Sequence, residues 1–474
     1  MGDGTAPWYL AVSLIASLIG ILGSAAILFR FCDYISVRSL QRRKRKYLTG
    51  VTAGDYIDWE RRTLKEIYQS DEAVKHLGSF VEQDDRIYPV IVKTGSDKVI
   101  FDKEHDKFLN FETELTSVEH ELLYTRLPHY RRFRAIVSDQ VRFPELYGYT
   151  NKGFVTDKGK KVCDDKDGKV CGFTAQPRTY KETVFSCHVL QYELWRAFQK
   201  KKRLSFLLRR KSIPVARLKD LPLRNLIHNG KLKPVKGKPY DMLVRDKVAN
   251  EENGQRISEV VYDGLNRSSL CDVNLVILKK TNPDQTDFNQ AWSVAVGRRS
   301  GNVATFPGYW SIVPSGSFEL SEKTIIPKDR SNTLFRDKLD RNKNIALALY
   351  REYLEEVFNL SDYEHPNGDC DLLQLKTNNY IKELKDSNNF DIVFLGVCFD
   401  LIVLRQTISF ALVVRDDSLL KNIKHNDENT ILDFVSLKEL EQIVRDEDAV
   451  MPEFAGTYEL LATNETVRRL LNQD

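Results

Sequence analysis

GSFELSE (316–322) and REYLEEV (351–357) are the stretches on which the reading of the C-terminal half turns. The first is Gly316, five residues, then Glu322. The second sets Arg351 beside Glu352, Glu355 and Glu356, and 28 mostly polar residues, 323–350, lie between the two. On a helix over 342–358 the three glutamates fall within an arc of about 100°, while Ala346, Tyr350, Tyr353 and Val357 gather on the other side. Such a helix buries the second face and presents three carboxylates to solvent. Like charges on adjacent turns repel by roughly a few tenths of a kcal/mol per exposed pair. Mg2+ favours hard oxygen ligands together with water and phosphate, and would turn that repulsion into attraction. The same pattern also reads as an ordinary solvated acidic face.

The flanking sequence alternates strands with single helices. CDVNLVILKK (271–280) and AWSVAVGRRS (291–300) read as strands, and DIVFLGVCFDLIVLRQTISFALVVRD (391–416) as two long β segments. ILDFVSLKELEQIV ends a strand and starts a helix, with Ser436 as N-cap and Glu439 three residues on. No βαβ repeat of regular length is present, so the expected class is α+β with a mixed sheet.

Gly-x5-Glu at 316–322 and Arg-Glu-x2-Glu-Glu at 351–356 resemble the two halves of the Nudix hydrolase motif. WSIVPSG (310–316), Ala348 and DFVSLKEL (433–440) resemble the family's surroundings of that motif. The resemblance covers about 268–474. It implies an α/β/α sandwich over 266–474 with an insertion at 323–350. It also implies Mg2+ on Glu352, Glu355 and Glu356 with Glu322 nearby, and Arg351 holding the loop. Catalytic roles would fall to Glu355, Glu356 and Arg351, in hydrolysis of a nucleoside diphosphate linked to another group. Three departures stand out. The family joins the halves by seven residues, Phe358 and Asn359 replace its glycine and aliphatic residue, and Ser315 stands where a second glycine is common. The gap carries seven basic residues between Lys323 and Lys343, suited to a lid over phosphates or to occluding the pocket.

At the other end, Trp8–Phe29 is 22 residues without a charge. As a helix it would be about 33 Å long, enough for a bilayer core. Arg30, Arg38 and Arg42 to Lys46 follow it, so a retained transmembrane helix at 8–29 with a basic juxtamembrane segment at 30–47 is expected. A signal peptide would carry its basic residues first. The N-terminus would lie outside and the bulk of the chain in the cytoplasm. Ala16, Gly20 and Ser24, spaced by four, form a close-packing face suited to self-association.

The whole chain has 474 residues, 42% hydrophobic and 29% charged, with net charge +4: a globular composition that gives no reason to expect a DNA or RNA partner. Its seven scattered cysteines contain no CxxC, which argues for free thiols. Residues 48–265 read as a cytosolic α/β domain without a short catalytic motif. Helices are expected over Ile57–Leu77, Phe111–Leu127 and Phe185–Phe198, strands at 88–94 and 99–101, and hairpins over 146–175. From Lys200 to Lys247 basic residues dominate, including Arg209, Arg210 and Lys211. They form a solvated face, or a site for a phosphorylated ligand or a membrane surface.

The order anchor, cytosolic domain, modified Nudix domain resembles the TM-Nudix effectors of the bacterial antiphage systems called CBASS. That resemblance implies the inner (cytoplasmic) membrane, a homo-oligomer and a cyclic di- or trinucleotide ligand. Arg298 and Arg299, or Arg209, Arg210 and Lys211, would contact the ligand. The other function class is a membrane-tethered, Mg2+-dependent pyrophosphohydrolase.

Overall fold

The computed structural model describes residues 41–103, 110–113, 133, 147–164, 168–234, 236, 241–245, 253–281, 285, 287–301, 303, 305–318, 344–360, 375, 378–387, 389–415, 417–420, 423–424 and 429–472. Two compact units are present, Met1–Thr49 and Gly50–Asp474. Within the first, residues 41–49 are helical.

The expected transmembrane helix requires correction. Among the described residues no helix is long and apolar enough to cross a membrane. The 19-residue helix Val189–Leu207 has the length, but it carries Glu193, Arg196, Lys200, Lys201, Lys202 and Arg203. Residues 8–29, with Ala16, Gly20 and Ser24, lie outside the described residues. A fold class with an N-terminal span and a single-pass inner-membrane location are therefore both unsupported; the described architecture is mixed α/β. An uncharged run has the hydropathy of a span, but spanning also requires a helix that buries its whole circumference in lipid.

The second unit is built on an eight-stranded mixed sheet. Cys271–Lys280 runs parallel to Arg405–Val414 along its whole length, from Cys271↔Gln406 to Lys279↔Val414. Arg405–Val414 pairs antiparallel with Phe390–Asp400, and Val90–Thr94 closes that edge. On the other side, Cys271–Lys280 pairs with Trp292–Arg299 only at Leu278–Lys280. The chain from Trp310 to Ser317 enters where the two strands part. Trp310–Ile312 pairs with Arg298–Val296, and Ser315–Ser317 with Asn274–Asp272. Asn429–Ser436 lies along the remaining edge of Trp292–Arg299. The apolar run of Cys271–Lys280 suits this central place, since a strand covered on both faces needs no alternation.

Side chains alternate across a strand, so the registers assign faces. Asp272, Asn274, Arg405, Thr407, Ser409, Cys398 and Asp400 share one face. Helix Pro452–Thr463 covers it, and a Cβ on Gly456 would lie 2.9 Å from Cys398 Sγ, so the helix sits close because it has none. On the opposite face Phe399 meets Phe154 and Tyr262 edge-on at 5.5 and 4.7 Å. Arg224, wholly buried, ties helix Pro222–Asn229 to the hairpin of the sheet by donating to the carbonyls of Leu401 and Ile402 and to the Tyr68 hydroxyl.

Several elements depart from the sequence reading. Ser70 caps a second helix, Asp71–Leu77, and so divides Ile57–Leu77 after Tyr68. Asn110–Thr113 is a strand, parallel to Val170–Thr179, where a helix from Phe111 was expected; 114–127 lie outside the described residues. The expected hairpin forms from Tyr147–Thr156 and Val170–Thr179.

Candidate functional site

The helix of the second motif begins at Ile345, where Asn344 Oδ1 accepts from the Ala346 amide at 2.9 Å. It is α-helical to Glu352 and widens into a π-helical turn over Tyr353–Val357. That turn breaks the regular wheel, and the carboxylates do not form one solvent-facing stripe. Glu352 and Glu356 are buried, at 7% and 5% exposed, while Glu355 is half-buried.

What buries them is the Ser315–Ser317 strand. The Ser315 amide donates to Glu356 Oε2 at 2.7 Å. Arg351 Nη2 donates to the Ser317 carbonyl at 2.6 Å and to Glu352 Oε1 at 2.7 Å. Between these two bonds, a Cβ on Gly316 would sit 2.0 Å from the Glu352 carboxyl carbon, so only glycine lets the carboxylate reach the strand. Arg351 Nε is 4.0 Å from Glu355 Oε1. The Gly316 and Arg351 halves of the motif therefore touch, whatever the length of sequence between them. The helix leaves through Asn359, at φ 53°, a conformation asparagine tolerates. Phe358, in the family's glycine position, is buried against Tyr380, ring centroids 4.0 Å apart.

Ser317 also reaches the other face. Its hydroxyl donates to Asp272 Oδ1 at 3.1 Å. Asp272 Oδ2 lies 2.7 Å from Arg405 Nε, an ion pair without hydrogen-bond alignment, and Arg405 Nη2 donates to Glu453 Oε1 at 3.0 Å. Burial pushes Asp272 up to about 6, against the pull of Arg405. Asp400 is raised well above the usual carboxylate range, first by burial and then by the charge of Glu453. Burial opposes the charge of Arg405, yet Asp272, Glu453 and Asp400 raise its pKa above the usual value. The sequence reading missed Asp272, Arg405 and Glu453. The signal available was a charge inside an apolar strand, as in CDVNLV and LIVLRQT, because a buried charge needs a partner.

The other expected site residues are not brought to the glutamates in the described contacts. Arg298 donates to the Gly308 carbonyl at 3.0 Å and lies 6.0 Å from the Trp310 ring centroid. Arg299 is half-buried at the end of the same strand. Arg209, Arg210 and Lys211 are exposed just past helix Val189–Leu207, beside exposed Phe206, Leu207 and Leu208. Glu322 and residues 323–343 lie outside the described residues.

The carboxylates of Glu352, Glu355 and Glu356 have the oxygen chemistry Mg2+ requires. Among the described residues, which do not include Glu322, no three His, Cys, Asp or Glu side chains gather to hold a metal ion. Two of the glutamates are turned onto the strand, and the third points to the margin.

No family model and no curated protein matches the chain. Among solved structures it overlaps a NUDIX hydrolase from Alicyclobacillus acidocaldarius at 13% identity, covering 42% of this chain and 94% of that one, with a TM-score of 0.25. It also overlaps a bifunctional NMN adenylyltransferase/ADP ribose pyrophosphatase from Francisella tularensis at 12% identity, covering 75% of this chain and 98% of that one, with a TM-score of 0.24. Overlaps at these TM-scores carry no inference about what this chain does.

Proposed function

We propose that the chain is a Nudix-type hydrolase acting on a nucleoside diphosphate linked to another group. The observation that carries this reading is the clasp in which Arg351, Glu352 and Glu356 bond to the backbone around Gly316. It joins the two motif halves across the long gap and leaves Glu355 at a margin that solvent reaches. In this role Glu352 and Glu356 fix the strand, and Glu355 meets the ligand. A divalent cation, when bound, would neutralise phosphoryl charge and acidify a water.

The test is incubation of the purified full chain with Mg2+ or Mn2+ and a panel of nucleoside diphosphate derivatives, with release of monophosphate followed by chromatography. Hydrolysis that falls by about a hundredfold or more in Glu355→Gln supports the reading. No turnover of any member by the folded wild-type protein removes it.

A second reading is an antiphage effector that responds to a cyclic di- or trinucleotide. It is favoured by the exposed Arg209, Arg210 and Lys211, which have no carboxylate partner among the described contacts. Binding of such nucleotides to the wild-type chain, lost on charge reversal of these three residues and linked to oligomer formation, supports it. Binding unaffected by the reversal removes the assignment of this stretch.

A further inference from the structure

We infer that Asp272, Arg405 and Glu453 are positioning residues for the glutamate helix, acting through the Ser317 hydroxyl from the opposite face of the sheet. An unbroken chain of contacts supports the assignment. Glu453, on helix Pro452–Thr463, accepts from Arg405 at 3.0 Å. Arg405 pairs with Asp272 at 2.7 Å, and Asp272 accepts from Ser317 Oγ at 3.1 Å. The carbonyl of the same Ser317 accepts from Arg351 at 2.6 Å. One residue of a three-residue strand is thus held by an acid from one face and an arginine from the other.

The Ser315–Ser317 strand has backbone support from one side among the described residues, continued at its ends by the Leu275 amide on the Pro314 carbonyl and the Phe318 amide on the Cys271 carbonyl. It pairs with Cys271–Lys280 over Asp272–Asn274, and in the sheet it has no partner strand on its other side among the described residues. The position of its amide and carbonyl groups, to which Glu356 and Arg351 bond, therefore depends on side-chain anchors. Asp272 supplies one, and it cannot swing away, because Arg405 grips its second oxygen and is itself fixed by Glu453. All three are nearly out of solvent, with side chains 6%, 9% and 4% exposed. Three buried carboxylates, Asp272, Glu453 and Asp400, act on the Arg405 guanidinium, and Arg299 adds a weaker pull on Asp272. Asp400 Oδ2 and Glu453 Oε2 have no hydrogen-bond partner among the described residues. Such an excess of buried acid is not what stability alone selects, since an apolar core at the same place holds a sheet as well or better. It is suited to holding one hydroxyl in one orientation. The role takes the glutamate helix as the working element of the proposed hydrolase.

Hydrogen–deuterium exchange on the full chain tests the assignment without any activity. Asp272→Asn and Ser317→Ala should each speed exchange in peptides spanning 345–357 by about tenfold, with Asn429–Ser436 unchanged. The double variant should exchange no faster than either single one, because both changes cut the same link. Ser317→Thr, which keeps the hydroxyl, should restore the wild-type rate. Unchanged exchange at 345–357, a double variant in which the two effects multiply, or a uniform rise over the whole sheet would each overturn the positioning role. Ser317→Ala lies at the margin of the core, so it remains informative if Asp272→Asn fails to fold. Failure of the wild-type chain to hydrolyse any substrate removes the reaction and leaves the exchange result standing. Unchanged exchange in an active enzyme removes only the positioning role.

Discussion

Arg351 and Arg405 lie on opposite faces of one sheet, reach Ser317 from either side, and keep different company. Arg351 is 15% exposed, bonds to a backbone carbonyl and to Glu352, and has Glu355, 38% exposed, within 4.0 Å. Arg405 is 9% exposed, and among the described residues its guanidinium pairs with the side chains of Asp272 and Glu453, which are themselves buried. A charge at a solvent margin can exchange one partner for another at small cost, because water screens the interval. A charge in the interior cannot, because losing a partner leaves its counter-ion desolvated. Under the proposed function the first face is the one that meets a ligand, and the second is the one that fixes geometry.

The largest break in this contrast comes from Arg405→Met. It strands Asp272 and Glu453 without their counter-ion, and should lower unfolding free energy by about 3–5 kcal/mol in urea titration. Arg351→Met, at the margin, should lose distinctly less. Equal losses would erase the distinction between the faces.

Next is pH. The folded pKa of Asp272 is raised to about 6 from 3.8, so the folded state binds its proton more tightly than the unfolded one. The neutral form is the one the fold favours. The stability linked to it is fully present below about pH 4 and is lost as pH rises to about 6. The groups facing Asp272 are Arg405, Glu453, Arg299 and the Ser317 hydroxyl, with Asp400 beside Arg405. Relative to wild type, Asp272→Asn should gain about 3 kcal/mol between about pH 3 and pH 7. A flat difference in thermal unfolding across that window would show that the seam does not titrate.

On the glutamate face, Gly316→Ala forces a methyl into the Glu352 carboxylate. A loss of about 1–3 kcal/mol is expected, together with loss of any hydrolysis. Full stability and activity would mean that Glu352 does not need its close approach to the strand. The smallest effects separate two adjacent glutamates. Glu356→Gln weakens a charge-assisted bond to the Ser315 amide and should cost about 1–2 kcal/mol. Glu355→Gln should stay within about 0.5 kcal/mol of wild type while abolishing turnover. Reversal of that order would exchange the holding and reacting roles.

Much of the C-terminal half was legible residue by residue. The strand Cys271–Lys280 matches its reading at both ends, and Ser436 and Glu439 form the expected reciprocal cap. The two long β segments appear as Phe390–Asp400 and Arg405–Val414. These succeed because periodicity and capping are local. The solvent-facing glutamate stripe failed for a local reason of another kind: the π-helical turn at Tyr353–Val357 shifts the angular phase that a 3.6-residue wheel assumes. The expected span at 8–29 rested on an uncharged run and the basic residues that follow it, which measure transfer preference and orientation and not the environment a segment finds.

By itself the sequence determined the local elements and the two motif halves, because Gly316, Arg351 and the glutamates are chemically distinctive wherever they fall. Only the tertiary structure decided that the halves meet, which carboxylates turn inward, and that Val90–Thr94 closes an edge of the same sheet. It alone brought Asp272, Arg405 and Glu453 together from strands and a helix as much as 181 residues apart. Pairings of that separation follow from strand register and from the cost of leaving a charge unpartnered, and neither is written in any short window of the chain.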